Sequence, residues 1–309
     1  MILLLGASGQ VGRELARALA PVASLTPATR SGSTTSGTPC ARVDLADADG
    51  LERQLDALAP RIIVNAAAYT AVDRAEDEPE LADAINHRAV AILADWASCR
   101  EALLVHYSTD YVFAGDATTP YDELAQAAPL SVYGCTKWAG EEAIRSSGCV
   151  HWILRTAWVY AAHGHNFLRS MLRAAHAGKS LRVVADQFGA PTSARYIASA
   201  TARLLADFVH DDSTRPRATL HVACSGEVSW HGYATRLLDR AKTLGLLASA
   251  PHVEAIESAA WPTRAPRPRY SVLNCQQLAD RLGTPPAHWH DELDATLLEL
   301  VDGCDLFKP

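Results

Sequence analysis

Met1-Ile-Leu-Leu-Leu-Gly6-Ala-Ser-Gly9-Gln-Val-Gly12 opens the chain. Its apolar run suits a strand buried on both faces of a parallel sheet. Three glycines follow, and a helical pattern runs from Arg13 to Ala20. Strand, glycine-rich turn and helix are the setting of a dinucleotide fingerprint. Gly6 permits the tight turn, Gly9 lets the backbone approach a pyrophosphate, and Gly12 lets helix and strand pack closely. The helix N-terminus offers unpaired N–H groups and positive potential to phosphates. The spacing is G-x-x-G-x-x-G rather than G-x-G-x-x-G, so a plain glycine turn is the competing reading.

Strand and helix patterns alternate beyond this point. Pro21 to Thr26 can form a second strand, and Pro27 to Pro39, rich in Ser, Thr and Gly, a surface loop. Asp47 to Leu58 reads as a helix, Arg61 to Asn65 as a buried strand, and Leu81 to Cys99 as a long helix. Ala102 to Tyr107 and Val150 to Leu154 are further strands. Such βα units predict a doubly wound parallel sheet, with ligands beyond the carboxyl ends of its strands. Gly6–Gly12, Asn65–Tyr69, Ser108–Asp110 and Thr156–Trp158 all fall there.

Composition excludes several classes. At 309 residues with net charge −7 and no cationic cluster, the chain lacks a nucleic-acid footprint. Its apolar start is too short and lacks the basic flank of a signal peptide, and no apolar run approaches membrane-spanning length. Seven scattered cysteines without a C-x-x-C pair suggest reduced thiols and a cytoplasmic protein. His163-Gly-His165 and His288-Trp-His290 each offer only two ligands, so no metal site is expected there.

Tyr133 and Lys137 in Val132-Tyr-Gly-Cys-Thr-Lys137 lie four apart and share one helix face. A nearby ammonium would lower the phenol's pKa and suit it to protonate a carbonyl oxygen as hydride arrives. Alone the pair is a weak signal; beside a dinucleotide fingerprint it points to a reductase.

Further blocks narrow the reading. They include Val64-Asn-Ala-Ala-Ala-Tyr-Thr-Ala-Val-Asp73 with Asn86, Ser108-Thr-Asp-Tyr-Val-Phe113, Leu154-Arg-Thr-Ala-Trp158, Asp186-Gln-Phe-Gly-Ala-Pro-Thr192 and Arg267-Pro-Arg-Tyr-Ser271. Through them the chain resembles the extended short-chain dehydrogenase/reductases and, within these, the dTDP-4-dehydrorhamnose reductases, from Ile2 to about Leu300. The resemblance implies an α/β fold, a Rossmann-type doubly wound sheet with a smaller mixed C-terminal substrate domain. Residues 1–160, with 193–225 packing back onto them, would bind the dinucleotide. Residues 161–192 and 226–309 would bind the nucleotide-sugar.

The activity implied is reduction of the C4 ketone of dTDP-4-dehydro-L-rhamnose to dTDP-L-rhamnose. Tyr133 would be the acid, Thr109 a second hydrogen-bond donor to the ketone oxygen, and Lys137 the residue that holds the nicotinamide ribose and keeps Tyr133 acidic. Gly9, Gln10 and Val11 match the phosphate loop, Asp44 and Leu45 the adenine side, and Ala67, Ala68 and Tyr69 the stretch along the cofactor. Arg30, after the second strand, would favour NADPH by binding a 2′-phosphate, with NADH possible. Thr109, Asp110 and Trp158 would face the sugar. One of Arg264, Arg267 and Arg269 would lie near the diphosphate.

Some relatives dimerise around Mg2+ held by carboxylates. Glu14 matches one of these, but Arg195 stands where another is expected, so a monomer or a homodimer without the ion is anticipated. Tyr69, where His is common, and the loosely matching His288–Leu300 region are the other departures. Two rivals remain: a non-catalytic dinucleotide-binding regulatory subunit, as attached to methionine adenosyltransferase, and an epimerase or dehydratase of the same superfamily. The intact Thr109, Tyr133, Lys137 and Trp158 set weighs against the first, and Tyr111 after Asp110, where dehydratases carry an acid, against the second.

Overall fold

The computed structural model describes residues 1–211 and 215–303, so residues 212–214 and 304–309 of the two expected halves lie outside it. The chain begins β1 (Ile2–Leu5), α1 (Gln10–Leu19), β2 (Leu25–Thr29), β3 (Ala41–Arg42), α2 (Ala48–Leu58) and β4 (Ile62–Asn65). Two short helices, α3 (Val72–Ala75) and α4 (Pro79–Asp83), lead through a π-helical turn at Ala84–Arg88 into α5 (Ala89–Cys99). Then come β5 (Leu103–Thr109), α6 (Val132–Ser147), β6 (Val150–Thr156), β7 (Val159–Tyr160), α7 (Phe167–His176) and β8 (Leu181–Val184). They are followed by β9 (Phe188–Gly189), β10 (Thr192–Ser193), α8 (Ala194–His210) and β11 (Arg217–His221). The last elements are β12 (Val228–Ser229), α9 (Trp230–Thr243), β13 (Val253–Ile256), α10 (Gln276–Leu282) and α11 (Trp289–Gly303).

Seven parallel strands form one sheet in the order β11-β6-β5-β4-β1-β2-β3. The chain runs outward from β1 to β3 and returns to β4, so the winding reverses between β1 and β4. A crevice for ligand forms where that happens. Register aligns the carboxyl ends: Leu5 faces Asn65, Asn65 faces His106, and Thr109 faces Thr156. This is the doubly wound arrangement that the alternation of patterns implied.

The strands read as unbroken apolar runs because both faces are covered. Ile2 and Leu4 point to one face, where Leu15 and Leu19 of α1 and Ile197 and Leu204 of α8 pack. Leu3 and Leu5 point to the other, against Leu51 and Leu55 of α2 and Leu93 of α5. The segment 193–225 thus contributes a helix and the edge strand to the layers of the central sheet. A separate core gathers Leu168, Leu172, Leu181, Tyr233, Leu237, Leu293 and Leu297. No described helix is long and apolar enough to cross a membrane.

Two expectations shift. The second strand is Leu25–Thr29, not Pro21–Thr26. The chain first turns at the end of α1, where the Val22 N–H donates to the Leu19 carbonyl at 3.0 Å. Pro27 fits inside the strand because β3 pairs only with Ala28 and Thr29, which leaves the outer side open beside it. The long helix expected over Leu81–Cys99 starts at Pro79 and is broken by the π turn, which carries Asn86 into the protein.

Candidate active site

The glycine turn is shaped by close backbone approach. Gly6 adopts φ +77°, and a Cβ there would lie 2.7 Å from the Ala67 nitrogen. A Cβ on Gly12 would lie 2.0 Å from the Gly6 carbonyl oxygen. No side chain caps α1 at Gly9, so its first-turn N–H groups are not consumed by a cap. The cradle fits the phosphates of a dinucleotide. The Gln10 side chain is spent elsewhere: its Oε1 accepts from Asn166 Nδ2 at 2.7 Å, which ties the turn to the start of α7. Val11 packs on the core.

Arg30 is exposed directly after β2, beside the hydroxyls of Thr29, Ser31 and Ser33, with Thr29 Oγ1 and Ser31 Oγ 3.3 Å apart. No acid sits at this strand end. Asp44 Oδ1 accepts from the Ala46 N–H at 3.0 Å, and Leu45 is buried against the core. Past β4, the Ala67 N–H donates to Asn65 Oδ1 at 3.1 Å and Ala68 follows half-buried. The Tyr69 N–H donates to Asn86 Oδ1 at 2.8 Å. The Tyr69 hydroxyl donates to Glu78 at 2.5 Å. Asn86 Nδ2 also donates to Thr136 Oγ1 at 3.2 Å and so clamps this loop to α6.

α6 carries Tyr133 and Lys137. Ser131 caps it, accepting from the Gly134 N–H at 3.2 Å. Its middle is anchored by Glu141, fully buried, which accepts from Arg155 at 2.9 and 2.7 Å and from Arg145 at 2.5 Å. Bidentate, charge-assisted bonds of this kind fix a helix against its strand. Lys137 is buried too. Its Nζ donates to the Tyr107 carbonyl at 2.6 Å and lies 3.0 Å from His106 Nε2. Burial lowers its pKa to about 8, with Glu141 opposing.

Tyr133 departs from the expectation. Burial pushes its phenol well above the ordinary value; the Thr109 hydroxyl draws it down, while Asp110 and Tyr111 push it further up. Lys137 shares the helix face, but its Nζ is directed to the sheet, and it is not among the groups that shift Tyr133. The ring of Tyr111 meets that of Tyr133 edge-on, with centroids 5.8 Å apart. Thr109 ends β5; its Oγ1 donates to Asp110 Oδ1 at 3.0 Å and accepts from the Tyr111 N–H at 3.2 Å. Its proton is therefore already given to Asp110. Burial lifts the Asp110 pKa to about 6.

Trp158 follows β6 at φ +47°, a strained backbone for a large side chain. Its ring lies parallel to that of Trp230, centroids 3.5 Å apart, and a Cβ on Gly189 would come within 2.4 Å of it. The stack and the glycine hold it at the strand edge. Of the three arginines, Arg264 pairs with Asp77, and Arg267 bonds Asp73 at 2.7 Å with its guanidinium 5.8 Å from the Tyr111 ring centroid. Arg269 is exposed. Glu14 and Arg195 line one groove between α1 and α8. Glu14 is bonded to His163 at 2.6 Å and Arg17 at 3.0 Å; Arg195 bonds Glu292 at 3.0 Å. Among the described residues no group of three or more His, Cys, Asp or Glu could hold a metal.

The structure thus gathers Thr109, Asp110, Tyr133 and Lys137 at the end of β5, with the glycine turn on β1 and Trp158 on β6 along the same edge. Residues that sequence reasoning gave no role are His106, Asn65, Asn86, Glu141 and Trp230. A polar residue inside a buried parallel strand, such as His106, was the available signal.

Residues 1–301 match the family described as the RmlD substrate binding domain. The chain is 39% identical over 299 residues to a dTDP-4-dehydrorhamnose reductase from Salmonella typhimurium, covering 97% of each. It is 40% identical over 306 residues to one from Burkholderia thailandensis, covering 97% of this chain and 99% of that one. Its fold superposes with TM-score 0.85 on the Bacillus anthracis dTDP-4-dehydrorhamnose reductase in complex with NADP, at 29% identity and covering 96% and 98% of the two chains. The chain belongs to the RmlD family of dTDP-4-dehydrorhamnose reductases, NAD(P)H-dependent oxidoreductases of the extended short-chain dehydrogenase/reductase type.

Proposed function

We propose that this chain reduces the C4 ketone of dTDP-4-dehydro-L-rhamnose to dTDP-L-rhamnose with hydride from NADPH, the last step in making that sugar donor. The observation that carries the reading is the meeting of Tyr133, Thr109 and Asp110 at one strand edge, a helical turn from buried Lys137. The bound reduced nicotinamide supplies the hydride.

Tyr133 gives its proton to the ketone oxygen as charge grows there. Its burial keeps the phenol protonated at neutral pH, and its acidity must come from the assembled site. Thr109 donates to the same oxygen once its hydroxyl turns from Asp110. Lys137 holds the nicotinamide ribose hydroxyls. The turn Gly6–Gly12 holds the pyrophosphate through backbone N–H groups. Arg30, with the neighbouring Thr29 and Ser31 hydroxyls, takes the 2′-phosphate, and Asp44 and Leu45 the adenine side. Ala67, Ala68 and Tyr69 line the cofactor by their backbone, and Trp158 closes over the sugar.

The core spanning 161–192 and 226–303 is read as the nucleotide-sugar part. Glu14, already paired with Arg17 and hydrogen-bonded to His163, fits a monomer or homodimer without Mg2+. The six described cysteines are free thiols, which suits the cytoplasm. The test is a turnover assay with NADPH and the dTDP-linked 4-keto sugar. The expected result is one cofactor oxidised per dTDP-L-rhamnose formed; no oxidation above the rate without sugar would refute the reading.

A further inference from the structure

Ser271 lies in none of the elements named above, yet it is only 1% exposed. Backbone bonds on both sides hold it. Its N–H donates to the Phe188 carbonyl at 2.9 Å, the Tyr270 N–H to the Gly115 carbonyl at 3.1 Å, and the Tyr121 N–H to the Val272 carbonyl at 2.9 Å. These bonds press residues 270–272 against the loop that follows β5. The Ser271 hydroxyl there faces the carboxyl of Asp110, itself 2% exposed. Burial lifts that carboxyl to about 6, and the Ser271 hydroxyl opposes the rise first, the Thr109 hydroxyl second. At neutral pH Asp110 is therefore a buried carboxylate, which needs hydrogen-bond donors. Among the described residues its side-chain donors are these two hydroxyls, beside the N–H groups of Asp110 and Tyr111. The other titratable groups that face it are the phenols of Tyr111 and Tyr133, with Arg267 against the Tyr111 ring.

The Thr109 hydroxyl has one proton to give. It now goes to Asp110 Oδ1 at 3.0 Å, while Oγ1 accepts from the Tyr111 N–H at 3.2 Å. To donate to a ketone oxygen, the hydroxyl must leave Asp110. A buried carboxylate that loses a donor is destabilised, and that loss adds to the barrier unless another donor replaces it. Ser271 can replace it without any backbone movement, because a hydroxyl proton rotates to suit its acceptor. Capacity for the exchange exists on both sides: neither Asp110 Oδ2 nor Ser271 Oγ has a well-aligned partner among the described residues. We propose that Ser271 is a positioning residue of the reductase, whose hydroxyl holds the Asp110 carboxylate while Thr109 turns its proton to the ketone oxygen. This rests on the role given to Thr109 above. Only hydrogen bonds are exchanged, and each hydroxyl keeps its proton. Ser271 acts through Asp110 on Thr109 and is not itself a donor to the ketone.

The test is a double-mutant cycle on the full chain, Ser271→Ala against Thr109→Val, read as kcat and KM for the dTDP-linked 4-keto sugar with NADPH. Ser271→Ala should lower kcat on the order of tenfold, the worth of one hydrogen bond to a charged group, with the sugar KM nearly unchanged. In Thr109→Val, which has no hydroxyl to release, the same change should cost less than about twofold. Ser271→Cys keeps a weaker donor in place, and its kcat should lie between those of serine and alanine. An equal loss in both backgrounds would reduce Ser271 to packing, and a rise in KM alone would make it a sugar contact. Either result, or an unchanged kcat in Ser271→Ala, would overturn the proposal. A second readout needs no turnover. The Asp110 carboxyl 13C resonance, assigned with Asp110→Asn, should titrate at about 6 in the wild type and higher in Ser271→Ala, which lacks a donor to the carboxylate. An unmoved midpoint would also overturn the proposal. Full activity in Thr109→Val would instead remove the role given to Thr109 and leave the titration standing.

Discussion

Lys137→Met should change the pH dependence of stability in a direction that burial dictates. Lys137 is 2% exposed, and its pKa falls from 10.5 to about 8. At ~1.36 kcal/mol per unit, that difference corresponds to about 3 kcal/mol. The sign follows from proton counting. Between pH 8 and 10.5 the unfolded lysine keeps its proton while the folded one has released it. The unfolded state then binds more protons, so wild-type stability rises with pH across that window. Methionine binds none. Wild-type stability minus that of Lys137→Met should therefore climb by about 3 kcal/mol from pH 7.5 to 10.5. Tyrosine titrations common to both proteins cancel in the difference. The offset at neutral pH carries a second contribution, because methionine leaves the Tyr107 carbonyl and His106 Nε2 without their partner, at about 1–3 kcal/mol each. The slope is therefore the diagnostic quantity. Urea unfolding of both proteins at half-unit pH intervals measures it. A difference that stays flat, or falls with rising pH, would refute the argument that Lys137 is desolvated.

Tyr133→Phe removes only the hydroxyl, so kcat should fall by roughly 10²–10⁴-fold with cofactor affinity nearly unchanged; wild-type turnover would dismiss the acid. Arg30→Ala should weaken NADPH binding on the order of tenfold more than NADH binding, the worth of a charge-assisted bond, and a constant ratio of dissociation constants would clear Arg30. Asp110→Asn should stabilise the protein at neutral pH. The folded carboxyl, near 6, binds protons that the unfolded one near 3.8 releases, so the variant's advantage should open as pH rises from about 4 to 6, reaching about 3 kcal/mol. Equal unfolding midpoints at pH 4 and 7 would count against that burial. Gly189→Ala drives a methyl into the Trp158 ring, so it should cost about 1–3 kcal/mol and raise the KM for the sugar. Unaltered tryptophan fluorescence and KM would show that the Trp158–Trp230 stack does not depend on Gly189.

The backbone frame was legible because its signals are local. The run Ile2–Leu5 and the glycines after it specify a strand, a turn and a helix start within a dozen residues, and five of the seven strands of the sheet were placed within a few residues, while β3 and β11 were not anticipated. β2 slipped because Pro27 reads as a breaker, and whether a proline is tolerated depends on how far the neighbouring strand extends. The site was legible as a set of positions at strand ends but not as a set of contacts. Tyr133 and Lys137 share a face by spacing. That Lys137 turns away depends on His106, thirty-one residues earlier, and on the Tyr107 carbonyl. That Thr109 spends its proton on Asp110 likewise depends on side-chain rotamers, which no spacing reveals. Trp230 and Glu141 carry no motif of their own, and Asn86, though part of the resemblance, gave no sign that it clamps the Tyr69 loop to α6.

The direct test of the central claim is the fate of the hydride. Purified protein is turned over with NADPH deuterated on the transferred position and the dTDP-linked 4-keto sugar, and the product is read by NMR. Deuterium at C4 of the sugar, one per cofactor oxidised, is the result this site predicts. Deuterium at another carbon, or product formed with no net cofactor oxidation as in an epimerase, would contradict it.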